Sequence, residues 1–238
     1  MLKSEFLKLK RSYIFFPVFL LPLLSAFMGS GNYWMNTEIL KDGWYDLWTQ
    51  YTLFFSFFFY PTMSAVYSAY LCRMETLHNN WKTILSSPIS VCSFYITKLI
   101  VLLSLMLCSL CFLFFLYGIS GNIIFDLPNL FPKEAGLWFL GSIIATIPLA
   151  TCTLFLSILI KSFTVPIGVA FVGGISGLFF LSKDIPYLNP FSLIPLAMNS
   201  NNSNPLSVAE YGILTASACF FTFIFGTLSI ILIKRKCR

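Results

Sequence analysis

Charged side chains are scarce in this sequence. Asp, Glu, Lys and Arg together make up 10% of its 238 residues, whereas hydrophobic residues make up 58%. Soluble domains usually carry about a quarter charged residues and about half apolar ones. Water could not solvate the surface of a chain with this composition, so a soluble protein is excluded. We predict a single transmembrane domain over residues 1–238.

The sequence also lacks the groups with which membrane-embedded enzymes work. Its one histidine, His78, lies between hydrophobic runs, and the interiors of those runs contain no Asp, Glu, Lys or Arg. An ionisable group at bilayer depth costs about 2.5–3.5 kcal/mol on insertion scales, so it is retained where catalysis or proton transfer needs it. The sequence therefore predicts no catalytic residue and disfavours a proton-coupled carrier.

Cysteine usage excludes a disulfide framework and a metal site. The seven cysteines are scattered over the apolar runs and their basic edges. Cys108 and Cys111 have CxxC spacing, but no second pair and no histidine lies near them in the sequence. We therefore predict packing roles for these thiols and no metal ligands.

Six charge-free runs are long enough to cross a bilayer, which takes roughly 20 helical residues. They predict an all-α, polytopic membrane protein with six transmembrane helices. The predicted spans are 12–28, 47–72, 99–117, 135–160, 162–181 and 211–233.

The distribution of charge predicts that both termini lie in the cytoplasm. In that orientation the inner segments hold twelve of the fifteen Lys and Arg residues and two of the nine acidic residues. Basic residues near span ends are biased to the cytoplasmic side, where anionic lipid headgroups attract them. The positive charge thus needs no nucleic-acid partner, since membrane lipid suffices.

The N-terminal residues predict an amphipathic helix on the inner membrane surface. Leu2, Phe6, Leu9 and Tyr13 share one face of a helical wheel, while the lysines lie elsewhere. The alternative is a cleavable secretory signal. Cleavage would place the new N-terminus on the side opposite the basic C-terminal tail, so we favour a retained helix.

Residues 185–209 lack charge but contain four prolines, so they should not span the membrane. Unpaired backbone groups are costly in hydrocarbon, so this segment must lie at the interface or be shielded by protein. We predict an external re-entrant loop in which Phe191, Ile194 and Met198 handle substrate, because they either enter the outer leaflet or cap the mouth of a pathway. The alternative is a surface loop that covers helix ends.

Gly173 and Gly177 form a GxxxG spacing in the fifth predicted span. Small residues at this spacing let helix backbones approach closely. The contact could be packing within the chain or an interface with another subunit.

The segment between spans two and three predicts a short amphipathic cytoplasmic helix. Leu77, Trp81 and Leu85 recur at helical spacing, and Pro88 ends the pattern. Glu75 and Lys82 add charges that could set the register of a docked partner. The segment is either a linker along the membrane or a helix that docks into another protein.

The residues of this loop resemble those of a known family. Permease subunits of lantibiotic-immunity ABC transporters, within the type-2 exporter permeases that include the bacitracin-resistance proteins, show a similar pattern. The matching residues here are Glu75, Asn79-Asn80-Trp81-Lys82, Leu85, Ser87-Pro88-Ile89-Ser90, Phe94-Tyr95 and Lys98.

The resemblance implies a subunit of the bacterial plasma membrane that expels membrane-active antimicrobial peptides. A separate cytoplasmic ATPase would bind ATP and Mg, since this chain has no GxxxxGK[ST] loop and no cofactor of its own. A second permease subunit, related or identical, is implied as well. Coupling to the ATPase would fall to Glu75, Leu77, Trp81, Lys82 and Leu85.

The alternative to this permease is a membrane scaffold or channel-like component that uses no ATP. A neighbouring gene that encodes an ABC ATPase would favour the permease.

The predicted orientation can be tested by thiol labelling in a cysteine-free background. Cysteines that replace Asp42 or Asp126 should react with a membrane-impermeant reagent in intact cells, and one that replaces Lys161 should react only after permeabilisation. The reverse pattern would show that the chain is inserted the other way round.

Overall fold

The computed structural model describes residues 2–10, 12–76, 90–128, 132–200 and 206–236, and all the regular secondary structure of these residues is helical. The predicted all-α, polytopic class is confirmed. The α-helices of this part are α1 (Leu2–Leu9), α2 (Phe15–Met35), α3 (Trp44–Phe54), α4 (Tyr60–Thr76), α5 (Val91–Ile119), α6 (Glu134–Leu159), α7 (Thr164–Ser182), α8 (Leu193–Ala197) and α9 (Val208–Lys236).

Five of the described helices are long and apolar enough to cross a membrane. They are α2, α5 with the π-helical turn Ser120–Ile124 that follows it, α6, α7 and α9. The sixth predicted span, 47–72, lies on α3 and α4, which have 11 and 17 residues and are separated by a second π-helical turn, Phe55–Phe59. Six spans therefore remain a prediction.

The run from α3 to α4 lies alongside α5 from one end to the other. The Tyr117 hydroxyl donates to the Trp44 carbonyl (2.7 Å) near the start of α3, and Lys98 Nζ donates to the Leu71 carbonyl (3.0 Å) near the end of α4. The run therefore extends over the length of the bundle, which supports its prediction as a span.

The π-helical turn between α3 and α4 follows from Pro61. Proline has no N–H, so it cannot donate to the Phe57 carbonyl four residues earlier. The Tyr60 N–H donates instead to the Phe55 carbonyl, five residues back. On α7, Gly174 packs against this turn so closely that a Cβ atom there would lie 2.1 Å from the Phe57 carbonyl oxygen. Only glycine allows this approach.

Weakly polar side chains join α4 to α6 inside the bundle. Ser64 and Ser68 both form hydrogen bonds with Thr153 (2.8 and 3.1 Å), and the Tyr60 hydroxyl pairs with Thr146 (2.8 Å). These residues are buried. Hydrogen bonds between helices contribute to association in membranes, where apolar surface alone gives no preference for protein over lipid. The α3–α4 run thus faces protein on most sides.

Contacts place positive and negative charges at opposite ends of the bundle. Lys8 pairs with Glu75, and Arg73 lies over the Phe163 ring next to Lys161. We call this the basic end. At the opposite, acidic end Trp44 Nε1 donates to the Pro128 carbonyl (3.2 Å), close to Asp126. Which of the two ends faces the cytoplasm stays a prediction.

The close approach of α7 to the π-helical turn generates a stability prediction. Gly174→Ala should destabilise the protein by about 1–3 kcal/mol, because the added methyl group must displace backbone. The measurement is the unfolding midpoint in detergent.

The matched control is Gly168→Ala on the same helix, where a Cβ would meet nothing within 4 Å. Its midpoint should stay level or rise slightly, since alanine favours helix over glycine by up to about 1 kcal/mol. Equal effects of the two substitutions would contradict the contact.

Candidate functional site

The structure describes both flanks of the segment predicted to couple to a partner. Glu75 lies in the last turn of α4 with its side chain buried. On the other side, α5 begins at Val91, and the hydroxyl of its N-cap residue Ser90 accepts from the Ser93 N–H (3.2 Å). Four predicted coupling residues lie outside the described residues: Leu77, Trp81, Lys82 and Leu85.

Four charged side chains form a closed ring at this place. Lys8 Nζ lies 2.6 Å from Glu5 Oε1 and 2.9 Å from Glu75 Oε1. Lys98 Nζ lies 3.1 Å from Glu5 Oε2 and 3.1 Å from Glu75 Oε1. Opposite charges alternate around this ion-pair ring, and its net charge is zero.

The ring is buried except at Lys8. The exposed fractions of the side chains are 2% for Lys98, 7% for Glu5 and 1% for Glu75, against 37% for Lys8. Lys98 uses all three ammonium donors, since Nζ also donates to the Leu71 carbonyl. A charge buried at this depth is stable only when it is paired in this way.

The pKa values of the two residues on α1 show the effect of pairing. Burial raises the pKa of Glu5, but Lys98 and Lys8 together lower it further, so that it lies below the ordinary 4.5. Burial lowers the pKa of Lys8, but its hydrogen bonds to Glu5 and Glu75 raise it above the ordinary 10.5.

The sign of the linkage follows from these directions. Stabilisation by Glu5 is complete above its unfolded pKa of 4.5 and is lost as the pH falls through the lowered value. Stabilisation by Lys8 is complete below 10.5 and is lost as the pH rises through the raised value. Both contributions are therefore complete at neutral pH.

The ring attaches the N-terminal helix to the two flanks of the loop. Glu5 and Lys8 belong to α1, Glu75 to the end of α4 and Lys98 to the second turn of α5. The predicted amphipathic helix thus exists, but Glu5 and Leu9 face the bundle, while Leu2 and Phe6 of the predicted face are exposed. An ion pair, and not apolar burial alone, sets the position of α1.

Sequence reasoning missed the ring and misplaced the start of α5. We predicted a span at 99–117 because the charge-free run starts directly after Lys98. The helix instead begins at Val91 and contains Lys98. The charge is tolerated there because two carboxylates neutralise it. One signal was present: Glu5 and Glu75 are the two acidic residues among twelve basic ones on that side.

The predicted substrate-handling residues lie inside the bundle. After α7 the chain turns back through the 3₁₀ turn Pro186–Leu188 and α8, and Phe191, Ile194 and Met198 are buried. The expectation that they enter the outer leaflet is wrong, because protein covers them. Trp48 Nε1 donates to the Met198 carbonyl (2.7 Å), which shields this backbone from lipid.

The two glycines of the GxxxG pattern contact this same re-entrant segment. A Cβ at Gly173 would lie 2.8 Å from the Phe191 ring, and one at Gly177 would lie 3.4 Å from Ser192 Cα. In this structure the two glycines thus allow close packing within the chain, between α7 and the re-entrant segment. Asn189 Nδ2 adds a hydrogen bond to the Ser176 hydroxyl (2.9 Å) on α7.

Comparison with known proteins gives one result. The sequence model of a family described as "ABC-2 family transporter protein" matches residues 1–177. These residues include α1 to α6, the ion-pair ring and both flanks of the cytoplasmic loop. No curated protein and no solved structure matches the chain.

The ring predicts a large effect for one substitution. Lys98→Met should destabilise the protein by about 3–5 kcal/mol, because it leaves two buried carboxylates with a single partner. The measurement is the unfolding midpoint of the purified protein in detergent, followed by tryptophan fluorescence.

Lys10→Met is the matched control, since Lys10 is exposed and pairs with no carboxylate of the described residues. Its effect should stay within about 0.5 kcal/mol. A Lys98→Met protein as stable as this control would show that the ring is not required.

Proposed function

Because the chain belongs to the ABC-2 transporter family, we propose that it is the permease subunit of an exporter that expels membrane-active antimicrobial peptides. A separate ATPase subunit supplies the energy, and a second permease subunit, related or identical, completes the membrane part. The protein would serve self-immunity or resistance to peptide antibiotics. The family match over residues 1–177 carries the permease part of the proposal. The peptide substrate rests on the resemblance of the residues from Glu75 to Lys98.

The coupling mechanism uses the flanks of the cytoplasmic loop. ATP and Mg bind to the partner, whose closure pushes on the segment from Glu75 to Leu85. Trp81 and Leu85 are the proposed anchors, because aromatic and aliphatic side chains in partner pockets dominate the energy of most interfaces. Leu77 precedes Trp81 by four residues in the sequence, so it would share a helical face with the anchors, and Glu75 and Lys82 would set the register.

The ion-pair ring would carry this push into the bundle. Glu75 holds the end of α4 to Lys98 of α5, and both are paired with residues of α1. Separating α4 or α5 from the other elements would leave Glu75 or Lys98 without a charged partner, which costs several kcal/mol. Separating α1 would remove one of the two charged partners of each. The three elements should therefore move as one body when the loop is displaced.

Two features of the acidic end support a peptide substrate. An apolar cleft of about 560 Å³ opens there between α2 and the π-helical turn after α5, lined by Phe27, Trp34, Ile124 and Phe125. The predicted outer segments also carry an excess of acidic residues. Membrane-active peptides combine a basic face with an apolar one, and this combination suits both features.

We also propose that the re-entrant segment of Phe191, Ile194 and Met198 moves during transport. It lies between α7 and the α3–α4 run, so a shift of the run changes its surroundings. Two hydrogen bonds link the α3–α4 run directly to the re-entrant segment, one from Trp48 to Met198 and one between Ser56 and Ser200 (3.2 Å). Substrate handling by this segment would follow from that movement.

The coupling proposal predicts the behaviour of a double variant. Trp81→Ala with Leu85→Ala should abolish co-purification of the ATPase and resistance to the peptide, because the anchors are lost. Membrane level and thiol-labelling topology should be preserved.

The control for this variant removes one aromatic and one aliphatic side chain at the acidic end. Phe179→Ala with Val208→Ala truncates two exposed residues outside the apolar cleft, and ATPase binding should be retained. Retention of the ATPase by the Trp81/Leu85 variant as well would refute the coupling assignment. Failure of the unsubstituted protein to co-purify with any ATPase would favour a scaffold that uses no ATP.

Movement of the re-entrant segment can be tested with a reversible cross-link. A Cβ at Gly141 would lie 3.4 Å from the Ala197 Cβ, close to the separation of about 3.5–4.5 Å found in disulfides. In a cysteine-free background, oxidation of the Gly141→Cys, Ala197→Cys pair should stop peptide resistance, and reduction should restore it. Each single variant is the control. Full resistance in cells whose protein is cross-linked would show that the segment stays still.

A further inference from the structure

A shallow cleft at the basic end contains positive charge that the ion-pair ring does not use. It lies between the end of α4 and the turn from α6 to α7. Its lining includes Arg73, Ser157, Lys161, Ser162 and Phe163. Hydroxyl groups and cations thus share one small surface.

The two cations of this cleft have no carboxylate partner in the described part of the chain. The ion pairs found there all belong to the ring, which uses Glu5 and Glu75. The Arg73 guanidinium lies 5.4 Å from the centre of the Phe163 ring. Stacking on an aromatic face orients a guanidinium and leaves its N–H groups at the edge available to an acceptor.

The start of α7 adds to the positive potential of the cleft. Phe163 is the N-cap residue of this 19-residue helix, and its side chain cannot accept a hydrogen bond from the first turn. The first N–H groups of an α-helix have no partner within the helix, and the helix dipole places partial positive charge there. The N-terminus of α7 therefore favours the same kind of ligand as Arg73 and Lys161.

An apolar strip leads away from this cleft along α7. Val165, Val169 and Val172 are exposed and lie at i, i+4 and i+7 spacing, so they share one face of the helix. The strip begins two residues after Phe163. A molecule with an anionic head and a hydrocarbon chain would match the cleft and the strip together.

We propose that this cleft binds the phosphate group of an anionic phospholipid. The guanidinium of Arg73 and the ammonium of Lys161 contact the phosphate oxygens, the Ser162 hydroxyl donates a further hydrogen bond, and an acyl chain lies along the valine strip. Basic pockets between transmembrane helices are known to bind such headgroups. The bound lipid joins α4, two residues before Glu75, to the start of α7.

The test uses purified full-length protein in phosphatidylcholine nanodiscs, with and without a minor fraction of phosphatidylglycerol. Phosphatidylglycerol should raise the unfolding temperature, and native mass spectrometry should detect it bound. Arg73→Gln with Lys161→Gln should weaken its binding roughly a hundredfold, because two charge-assisted contacts are lost, each worth roughly a factor of ten. Arg73→Lys should keep part of the affinity.

The matched control is Lys234→Gln with Arg235→Gln, which removes two exposed charges near the end of α9. This control variant should retain the bound lipid. An equal loss of lipid binding in both double variants would show that general surface charge causes the effect, and it would overturn the proposed site. If the Arg73/Lys161 variant fails to fold, Lys161→Gln alone replaces it, and unchanged lipid binding there overturns the proposal.

A separate arm distinguishes the source of the phosphate group. Inorganic phosphate added to phosphatidylcholine nanodiscs should leave the unfolding temperature unchanged, since it lacks the acyl chain that the valine strip contacts. Stabilisation by inorganic phosphate as large as that by phosphatidylglycerol would assign the cleft to a soluble anion and overturn the lipid.

Discussion

The ion-pair ring of Glu5, Lys8, Glu75 and Lys98 is the interaction on which the basic end of this protein depends. Its charges sum to zero, and three of its four side chains are almost wholly buried. The ring is balanced only while it is complete, since the loss of one member leaves its two neighbours to share a single opposite charge. This requirement couples the N-terminal helix to both flanks of the cytoplasmic loop.

The α3–α4 run connects that end to the opposite one. It begins among aromatic residues, where Trp48 stacks on Trp138 with ring centres 5.6 Å apart, and it ends at the ring with Glu75. Between them, Pro61 creates a π-helical turn against which α7 packs at Gly174. The α3–α4 run is therefore a continuous, well-packed connection between the cytoplasmic loop and the re-entrant segment, and it can transmit a displacement from one to the other.

Much of the fold could be predicted because hydropathy reports directly on contact with lipid. The helices at Glu134–Leu159 and Thr164–Ser182 lie within two residues of the predicted runs 135–160 and 162–181. Prediction failed where protein replaces lipid or water as the neighbour. Lys98 lies inside α5 because carboxylates distant in sequence neutralise it, and Met198 is shielded by Trp48. Neither contact leaves a periodic pattern in the sequence.

The most direct test of this account measures whether the ring holds α1 in place. Leu9 is fully buried where α1 meets the bundle, so a cysteine that replaces it in a cysteine-free background should react slowly with a thiol reagent. Lys98→Met should make that cysteine reactive, and adding Glu75→Gln should restore part of the protection, because it removes one of the two carboxylates that then share Lys8. A cysteine at position 9 that stays equally protected in all three proteins would contradict the account.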